Sequence, residues 1–486
     1  METTTVIGRK YDQLFIGGEW INPSTDHKVD IVSPHDQSIT GYTVLAEQAD
    51  IDLAVAAARK AFDQGPWPKT TPEERQALIT KFNEIHSTHT AELAALTTAE
   101  NGSPIWFTGM LQQALAEQTN AYLRAAKAFE WESTQPAASG GTNVIRREPV
   151  GVVAAIIPWN APQQSALVKI IPALLAGCTV VFKPTPETSL DGIALGELFK
   201  QAGLPDGVLS IVPAGREVSE YLVSHAGVDK IAFTGSTRAG QQIASIAGKQ
   251  MKRYSLELGG KSAAIILEDA DIAMTAGMLK YYSFGNNGQA CVGQTRILAP
   301  KSRYAEISEA LTAMVASIPV GDPNNMETFQ GPIFNKAQYD RVNSYLELGV
   351  QEGATITTGG LGKPEGAQYE KGWYIKPTVF TNANNEMRIA REEIFGPVIV
   401  IIPYETEADA IRIANDSPYG LAGSVWTSNK EKGLEIAKQI RTGTFSINGA
   451  ATDFNSPFGG YKQSGVGREF GGAGLAAFTE TKAIAM

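Results

Sequence analysis

The chain has only two cysteines in 486 residues, and they lie in different surroundings. Cys291 ends the polar, glycine-containing run Gly285-Asn-Asn-Gly-Gln-Ala-Cys291, whereas Cys178 lies in the apolar run Leu174–Phe182. Buried cysteines in apolar runs are usually inert fillers. Cys291 is therefore the candidate nucleophile, although a single cysteine is weak evidence by itself.

Two further side chains are suited to acid–base and oxyanion chemistry. Glu257 lies between apolar neighbours and beside two glycines, where loss of water would raise its pKa and suit it as a general base. A solvated glutamate on an edge strand is the alternative. Asn160 follows Pro158-Trp159, and its amide can donate to an oxyanion or simply form an Asx turn that ends a strand.

A turn with small residues, Gly235-Ser236-Thr-Arg-Ala-Gly240, joins a predicted strand to a helix over Ala239–Gln250. Free N–H groups at a helix start attract phosphate, and the Ser236 hydroxyl adds a donor. The turn does not have the G-x-G-x-x-G pattern of an ordinary Rossmann domain. Connections of small residues between a strand and a helix are also common in general. Dinucleotide binding is one interpretation, and a plain strand-to-helix connection is the other.

The elements that must position these residues alternate between short apolar runs and amphipathic stretches from 150 to 270. This pattern predicts parallel βα units, which bind ligands beyond the carboxyl ends of their strands. The helices over Ser165–Ala176 and Leu190–Ala202 end at Gly177 and Gly203. The predicted strands are Val152–Ile157, Thr179–Phe182, Val208–Val212, Lys230–Phe233 and Ala263–Leu267.

The rest of the chain predicts a second α/β region and two arms. Gly17-Gly18 indicates a turn between strands, alanine-rich helices follow, and strands are expected near Val398–Pro403 and Ser424–Trp426. Segments 138–150 and 476–486 are typical of extended arms that pair with another subunit, so we expect an oligomer.

Bulk properties narrow the class of protein. The length exceeds the roughly 250–300 residues of one core, so two or more domains are expected. A net charge of −10 argues against nucleic-acid and membrane partners. We expect no secretory signal and no run near the ~20 apolar residues of a membrane span. Two cysteines cannot form a disulfide framework, which predicts a cytoplasmic protein, and no Cys/His spacing is typical of a zinc site, which predicts a metal-free one.

Taken together, the motifs resemble the NAD(P)-dependent aldehyde dehydrogenase superfamily over essentially the whole chain. Their order agrees, as does the spacing of 34 residues from Glu257 to Cys291. The segments are Pro158-Trp-Asn160, Phe182-Lys-Pro184, Phe233-Thr-Gly-Ser236, Glu257-Leu-Gly-Gly-Lys261, Gly288-Gln-Ala-Cys291, Glu392-Glu-Ile-Phe-Gly-Pro397, Asn415, Tyr419-Gly-Leu421 and Pro457-Phe-Gly-Gly-Tyr-Lys-Gln-Ser-Gly-Val-Gly-Arg-Glu469.

The resemblance implies an α/β fold of the aldehyde dehydrogenase type. A Rossmann-type cofactor domain would comprise residues 1–127 and 149–258, and an α/β catalytic domain residues 259–460. A small β oligomerisation arm would comprise residues 128–148 and 461–486, which implies a homodimer or homotetramer.

By the same resemblance, Cys291 attacks a small-molecule aldehyde to give a thiohemiacetal and then a thioester. Asn160 and the Cys291 N–H would hold the oxyanion, and Glu257 would activate the water that releases a carboxylic acid. Glu469 would relay protons behind Glu257; its alternative role is a surface helix-capping pair.

The implied cofactor is NAD, with NADP as a second candidate. Lys183 and Glu393 would bind the two riboses, and Phe395 would pack near the nicotinamide ribose. Many NAD-preferring relatives have a glutamate three positions after the lysine, where this chain has Pro186, with Glu187 one position later. The implied cofactor-binding residues are Ile156, Trp159, Lys183, Gly215, Ser219, Gly235, Ser236, Gly240, Leu258, Glu393 and Phe395.

The substrate pocket is the least specified part. Ala161–Val168 and Gly285 lack the aromatic residues of several family members, which suggests a roomier pocket, and Phe454 and Phe458 are candidate walls. Three alternatives remain: transfer of the thioester to CoA, against which Glu257 counts, a non-catalytic use of the fold, and an esterase activity of the same cysteine.

Overall fold

The computed structural model describes residues 8–138, 140–451 and 453–486. In that part of the chain the strands form four sheets. In chain order, the strands are β1 (Lys10–Tyr11), β2 (Leu14–Ile16), β3 (Glu19–Ile21), β4 (Lys28–Val32), β5 (Ile39–Val44), β6 (Glu132–Pro136), β7 (Thr142–Pro149), β8 (Val152–Ile156), β9 (Thr179–Lys183), β10 (Leu209–Ile211), β11 (Lys230–Thr234), β12 (Arg253–Glu257), β13 (Ser262–Ile266), β14 (Gln294–Pro300), β15 (Thr355–Thr358), β16 (Thr378–Thr381), β17 (Val398–Tyr404), β18 (Gly423–Trp426), β19 (Ser446–Ile447), β20 (Gly465–Val466) and β21 (Thr479–Ala485).

The α-helices of the same ranges connect and cover these sheets. None of the helices in the described ranges combines the length and the apolar character needed to cross a bilayer. They are α1 (Gln48–Asp63), α2 (Pro72–Thr88), α3 (Thr90–Asn101), α4 (Ile105–Ala128), α5 (Pro162–Ala176), α6 (Leu190–Ala202), α7 (Arg216–Ser224), α8 (Thr237–Gln250), α9 (Ile272–Phe284), α10 (Tyr304–Ala316), α11 (Lys336–Gln351), α12 (Arg388–Arg391), α13 (Glu407–Asn415), α14 (Lys430–Ala437) and α15 (Gly471–Ala476).

The first large sheet has eight strands in the order β20-β12-β11-β8-β9-β10-β2-β3. The five central strands, β12 to β10, are parallel, which confirms the predicted βα units. Chain order reverses beside β8, because β9 and β10 lie on one side of it and β11 and β12 on the other. In open sheets of this kind, ligands bind in the crevice at such a switch point.

Local sequence explains why these units form. Every residue of β8 and β9 is buried, as expected for parallel strands covered on both faces. Helices α5 and α6 both end at a glycine in the left-handed conformation, Gly177 (φ 91°) and Gly203 (φ 92°), as predicted. Alternate residues of each strand pack into separate apolar clusters on the two faces: Val153 and Ala155 on one, Val152 and Ala154 on the other.

The second large sheet has seven strands in the order β15-β16-β17-β14-β13-β18-β19. All are parallel except β15, which pairs antiparallel with β16. Strands β17 and β18 match the two runs predicted in this region. As in the first sheet, alternate residues of β13 pack into separate clusters, with Ala263 and Ile265 on one face and Ala264 and Ile266 on the other.

The predicted arms form a third sheet in the order β21-β7-β6. Strand β21 pairs antiparallel with β7 over seven residues, from Thr479 opposite Pro149 to Ala485 opposite Asn143. The two arms thus pair with each other within one chain, although they lie more than 300 residues apart in sequence. A smaller sheet, β1-β5-β4, lies near the N-terminus, and the Gly17-Gly18 turn joins β2 to β3 as predicted.

A buried arginine stabilises the second sheet. Arg296 of β14 is 2% exposed. Its guanidinium donates to the carbonyls of Lys261 (2.9 Å), Ile413 (2.8 Å) and Ala414 (2.9 Å) and to Asn385 Oδ1 (2.9 Å). One side chain therefore joins β13, the end of α13 and the loop after β16.

We expect Arg296→Lys to lower the free energy of unfolding by about 2 kcal/mol or more, because an ammonium cannot reproduce the planar set of donors and leaves buried carbonyls unpaired. The measurement is the midpoint of guanidinium unfolding. Arg412→Lys is the matched control, since Arg412 is 67% exposed and should shift stability by less than about 0.5 kcal/mol. Equal midpoints for the two variants would contradict this role of Arg296.

Candidate active site

The loop that carries Cys291 begins where α9 ends at Phe284. Its Gly285–Gly288 turn contains three successive residues with positive φ, namely Asn286 (54°), Asn287 (60°) and Gly288 (70°). Asparagine and glycine are the residues that tolerate this conformation best. The polar, glycine-containing run that drew attention to Cys291 is therefore the sequence that this turn requires.

Asn160 follows β8, at the carboxyl end of the first sheet, and reaches across to the Cys291 loop. Its side-chain amide donates to the Gln289 carbonyl at 2.9 Å. The side chain thus contacts the other large sheet's loop, two residues from the candidate nucleophile, and the Asx-turn alternative does not describe it.

The turn after Glu257 packs directly on Cys291. A Cβ atom at Gly260 would lie 2.6 Å from the Cys291 carbonyl oxygen, so only glycine allows this approach. Likewise, a Cβ at Gly288 would lie 2.4 Å from the Gly396 backbone. The structure therefore brings together Cys291, Asn160 and the segment that begins at Glu257, which are distant in sequence.

Glu257 is the last residue of β12 and is only 5% exposed. β12 lies between β11 and β20, so the solvated edge-strand alternative does not apply. Burial, followed by the charge of Glu469, raises the pKa of Glu257 well above its usual range, while Lys169 and Arg468 lower it. Its Oε2 atom has no hydrogen-bond partner among the described residues, as suits a carboxyl group that receives a water or a proton.

Behind Glu257 lies a buried ion pair. The Lys169 ammonium, 1% exposed, donates to Glu469 Oε1 at 2.6 Å and to the Thr234 hydroxyl at 2.6 Å. Glu469 itself is largely buried, so its helix-capping alternative on the surface does not apply. The sequence analysis missed Lys169, whose one signal is a lysine inside the apolar run Val168-Lys169-Ile170-Ile171.

The surroundings of the Cys291 thiol disfavour its thiolate form. Burial raises the pKa of Cys291 to about 12, with further increases from the carboxylates of Glu393 and Glu257, while the backbone N–H groups of Val292 and Cys291 lower it. The two carboxyl groups are therefore close enough for their charges to act on the sulfur. A base or another positive group must act before the thiolate can form.

The residues expected to hold a dinucleotide lie along one edge of the first sheet. Ile156 ends β8 and Trp159 follows it, Lys183 ends β9, Gly215 precedes α7, and Gly235-Ser236 precedes α8. Burial lowers the pKa of Lys183 to about 8, and the charge of the nearby Glu187 acts in the opposite direction by raising it.

Several features fit these residues to a dinucleotide. A Cβ at Gly215 would meet no atom within 4 Å, so the space beside the start of α7 is open. Ser236 caps α8, its hydroxyl oxygen accepting from the Ala239 N–H at 3.3 Å, and leaves its own hydrogen free to donate. Gly240 packs against Leu258, where a Cβ would lie 2.6 Å from the leucine side chain. Ser219 of α7 donates back to the Gly215 carbonyl at 2.7 Å.

Glu393 approaches from the second sheet. Its Oε1 atom accepts from the Gly260 N–H at 3.0 Å, and burial raises its pKa to about 7. Phe395 is nearby with a positive φ of 61°. Its ring meets Trp159 edge to face at 5.4 Å, and Trp159 also stacks on Phe334 at 4.2 Å, a contact that the sequence analysis did not foresee.

The two candidate pocket walls are partly buried and pack against the apolar cluster on one face of the first sheet. Phe454 and Phe458 pack on Phe470, with ring centroids 5.1 and 5.7 Å away. Within the ranges that the structure describes, no group of three or more His, Cys, Asp or Glu residues is arranged to hold a metal ion.

The sequence model of the aldehyde dehydrogenase family matches residues 20–484 of this chain. Among curated proteins, the chain is 42% identical to geranial dehydrogenase from Castellaniella defragrans, over 98% of both chains. It is 40% identical to 3-succinoylsemialdehyde-pyridine dehydrogenase from a Pseudomonas species, also over 98% of both.

Comparison with solved structures leads to the same family. An aldehyde dehydrogenase from Mycobacterium tuberculosis complexed with NAD+ superimposes with a TM-score of 0.96 at 48% identity, covering 99% of both chains. A mutant of aldehyde dehydrogenase C from Pseudomonas syringae, in complex with NAD+ and octanal, gives a TM-score of 0.94 at 38% identity, over 98% of this chain and 96% of that one. The predicted fold and family resemblance are confirmed, and the chain belongs to the aldehyde dehydrogenase family.

Proposed function

We propose that this enzyme oxidises an aldehyde to a carboxylic acid with NAD+, using Cys291 as nucleophile and Glu257 as general base. The observation that carries the proposal is the 2.9 Å contact of the Asn160 amide with the Gln289 carbonyl, beside Cys291. This contact puts an amide donor from one sheet next to a thiol from the other, which is the arrangement that attack on a carbonyl requires.

In the first step, Glu257 takes the proton of the Cys291 thiol, the sulfur forms a bond to the aldehyde carbon, and the carbonyl oxygen becomes an oxyanion. The second N–H of Asn160 and the Cys291 backbone N–H donate to that oxyanion. Each such donor contributes about 3–4 kcal/mol elsewhere. Loss of hydride from the same carbon leaves a thioester on Cys291.

In the second step, Glu257 takes a proton from the water that attacks the thioester, and Cys291 leaves as the thiol or thiolate. A carboxyl group with a raised pKa is a stronger base once it has lost its proton. The buried pair of Glu469 and Lys169 offers a path by which that proton can leave, since both lie behind Glu257.

A bound NAD+ supplies the acceptor for the hydride. Lys183 and Glu393 are the side chains proposed to bind its riboses, and the open start of α7 and the Ser236 cap of α8 suit its phosphates. Ile156, Trp159, Ser219, Leu258 and Phe395 would line the remainder of the site. Because Pro186 stands where many relatives have glutamate, NADP remains a second candidate.

We infer that the substrate is an apolar aliphatic or terpenoid aldehyde. The residues after Asn160 are small or neutral, namely Ala161, Gln164 and Ser165, and the Cys291 loop begins with Gly285. The likeness to geranial dehydrogenase and to a structure that holds octanal supports a substrate with an extended, apolar carbon chain.

The division into domains and the assembly are also proposals. The cofactor domain (1–127 and 149–258), the catalytic domain (259–460) and the arms (128–148 and 461–486) follow the sheets closely, except that β20 joins the first sheet. We propose a homodimer or homotetramer formed through the sheet of β6, β7 and β21. A cytoplasmic location stays a prediction from the cysteine content.

We expect Cys291→Ala to abolish NADH formation from a panel of aliphatic, terpenoid and aromatic aldehydes, and to abolish ester hydrolysis as well, because both need the sulfur. Absorbance of NADH and of a chromogenic ester product measures the two activities. Cys178→Ala is the control. Because Cys178 is fully buried, this variant should keep both the dehydrogenase and the esterase activity. Activity in Cys291→Ala would refute the nucleophile.

Glu257→Gln should form the thioester but hydrolyse it about 10²–10⁴ times more slowly, because the amide cannot take a proton from water. The expected trace is a burst of NADH followed by a stalled steady state. The control is Glu84→Gln, which changes an exposed glutamate. Unchanged steady turnover would exclude Glu257 as base, and appearance of acyl-CoA on adding CoA would favour the acyl-transfer alternative.

Glu187→Gln should raise kcat/KM for NADP about fivefold and change that for NAD less than twofold. Glu187 is exposed, and its charge acts on Lys183. Removing that charge should relieve its repulsion of the 2′-phosphate of NADP, a repulsion of about 1 kcal/mol. Initial rates with both cofactors give the ratio, and Glu84→Gln again serves as the charge control. An unaltered ratio would show that Glu187 does not face the ribose.

A further inference from the structure

A ring of buried side-chain amides joins the two large sheets beside Cys291. The Asn286 amide donates to the Asn160 carbonyl at 2.8 Å and to the Gln289 carbonyl at 3.3 Å. The Asn160 amide donates to the same Gln289 carbonyl. Asn286 is 1% exposed, so water does not compete for these contacts.

The other end of the Asn286 amide closes the ring. Asn286 Oδ1 accepts from the Ser103 hydroxyl. The Ser103 N–H donates to Asn101 Oδ1 at 2.9 Å, and the Asn101 amide donates to the Trp159 carbonyl at 3.1 Å. The chain segment that precedes α4 thus supports both Asn286 and the backbone from which the Asn160 side chain projects.

This arrangement determines where the free hydrogen of Asn160 points. A primary amide has two N–H donors, and the Gln289 carbonyl takes one of them. The second donor is then fixed in direction by the position of Gln289 relative to the Asn160 backbone. Asn286 donates to both of those carbonyls, so it sets that position.

We propose that Asn286 is a positioning residue for oxyanion stabilisation. It aligns the Asn160 amide with the Cys291 loop and acts on the reaction through Asn160 without touching the substrate. The inference deepens the proposed function and rests on it, because it requires Asn160 to be an oxyanion donor. The positive φ of Asn286 (54°) is a conformation that few residue types accept and that aims its amide inward.

The neighbouring Asn287 provides a matched comparison. It also has a positive φ (60°) and is fully buried. Its amide donates to the carbonyls of Gly102 (3.0 Å) and Pro332 (2.8 Å), and its oxygen accepts from the Gly331 N–H (2.7 Å). None of these contacts involves Asn160, so Asn287 stabilises the same turn without setting the direction of the donor.

The test is a double-mutant cycle on the rate of NADH formation in the first turnover, called the burst below, which reports thioester formation because the hydride leaves before the thioester is hydrolysed. Asn286→Gly and Asn287→Gly are made alone and in the Asn160→Ala background, since glycine keeps the positive φ while removing the amide. Asn160→Ala alone should slow the burst roughly 10²–10³-fold. NAD+ binding, followed by tryptophan fluorescence, shows whether each variant is folded.

Asn286→Gly should slow the burst by about 10-fold or more in the otherwise native enzyme, but less than about threefold when Asn160 is already alanine. Asn287→Gly should have the same effect in both backgrounds. Asn286→Asp, which keeps the size and tolerates the backbone but loses both donors, should resemble Asn286→Gly. Asn286→Asp replaces Asn286→Gly in the cycle if the glycine variant fails to bind NAD+.

An unchanged burst in Asn286→Gly and Asn286→Asp, or an equal slowing in both backgrounds, would overturn the inference. These results leave the roles of Cys291 and Glu257 intact. An unchanged burst in Asn160→Ala alone is a different failure, because it removes the oxyanion donor from the proposed function and the inference with it.

Discussion

The structure depends on one constraint: the reacting groups come from two separate sheets and must meet with atomic accuracy. Cys291 and Glu393 lie in the loops that precede β14 and β17 of the second sheet, whereas Asn160 follows β8 and Glu257 ends β12 of the first. The backbone contact of Gly260 with the Cys291 carbonyl, where no side chain fits, holds the segment after β12 against the Cys291 loop. Side-chain amides then set the lateral alignment of the sheets. The parallel strands of the first sheet suit this purpose, because their carboxyl ends lie on one edge and expose loops there.

The same closeness explains the electrostatics. Burial raises the pKa values of Glu257, Glu393 and Cys291, and each carboxyl raises that of the thiol further. The site therefore disfavours negative charge on these groups. Lys169 is the buried cation that offsets this tendency, and it is itself satisfied by Glu469 and Thr234.

Local signals were enough to predict the parallel units and the glycine-ended helices, because each depends on neighbouring residues. The resemblance added the list of site residues. Neither revealed Lys169, whose partner Glu469 lies 300 residues away, nor the Asn286 contact with Asn160, 126 residues away. A lysine in a helix and an asparagine in a turn have ordinary local explanations. Only folding shows that these two are completely buried and paired with the site.

The two cysteines show why acidity does not identify a nucleophile here. Burial raises the pKa of Cys178 to about 11 and that of Cys291 to about 12, so acidity does not distinguish the two thiols. What differs is the surroundings. Cys178 donates to the Phe478 carbonyl at 3.4 Å within an apolar core, and the charges that act on its sulfur are those of Lys230 and Arg75. Cys291 has two carboxyl groups within electrostatic reach and an amide held beside its loop. Its reactivity must therefore arise from groups that take its proton and hold the product charge, and these are positioned by the fold as a whole.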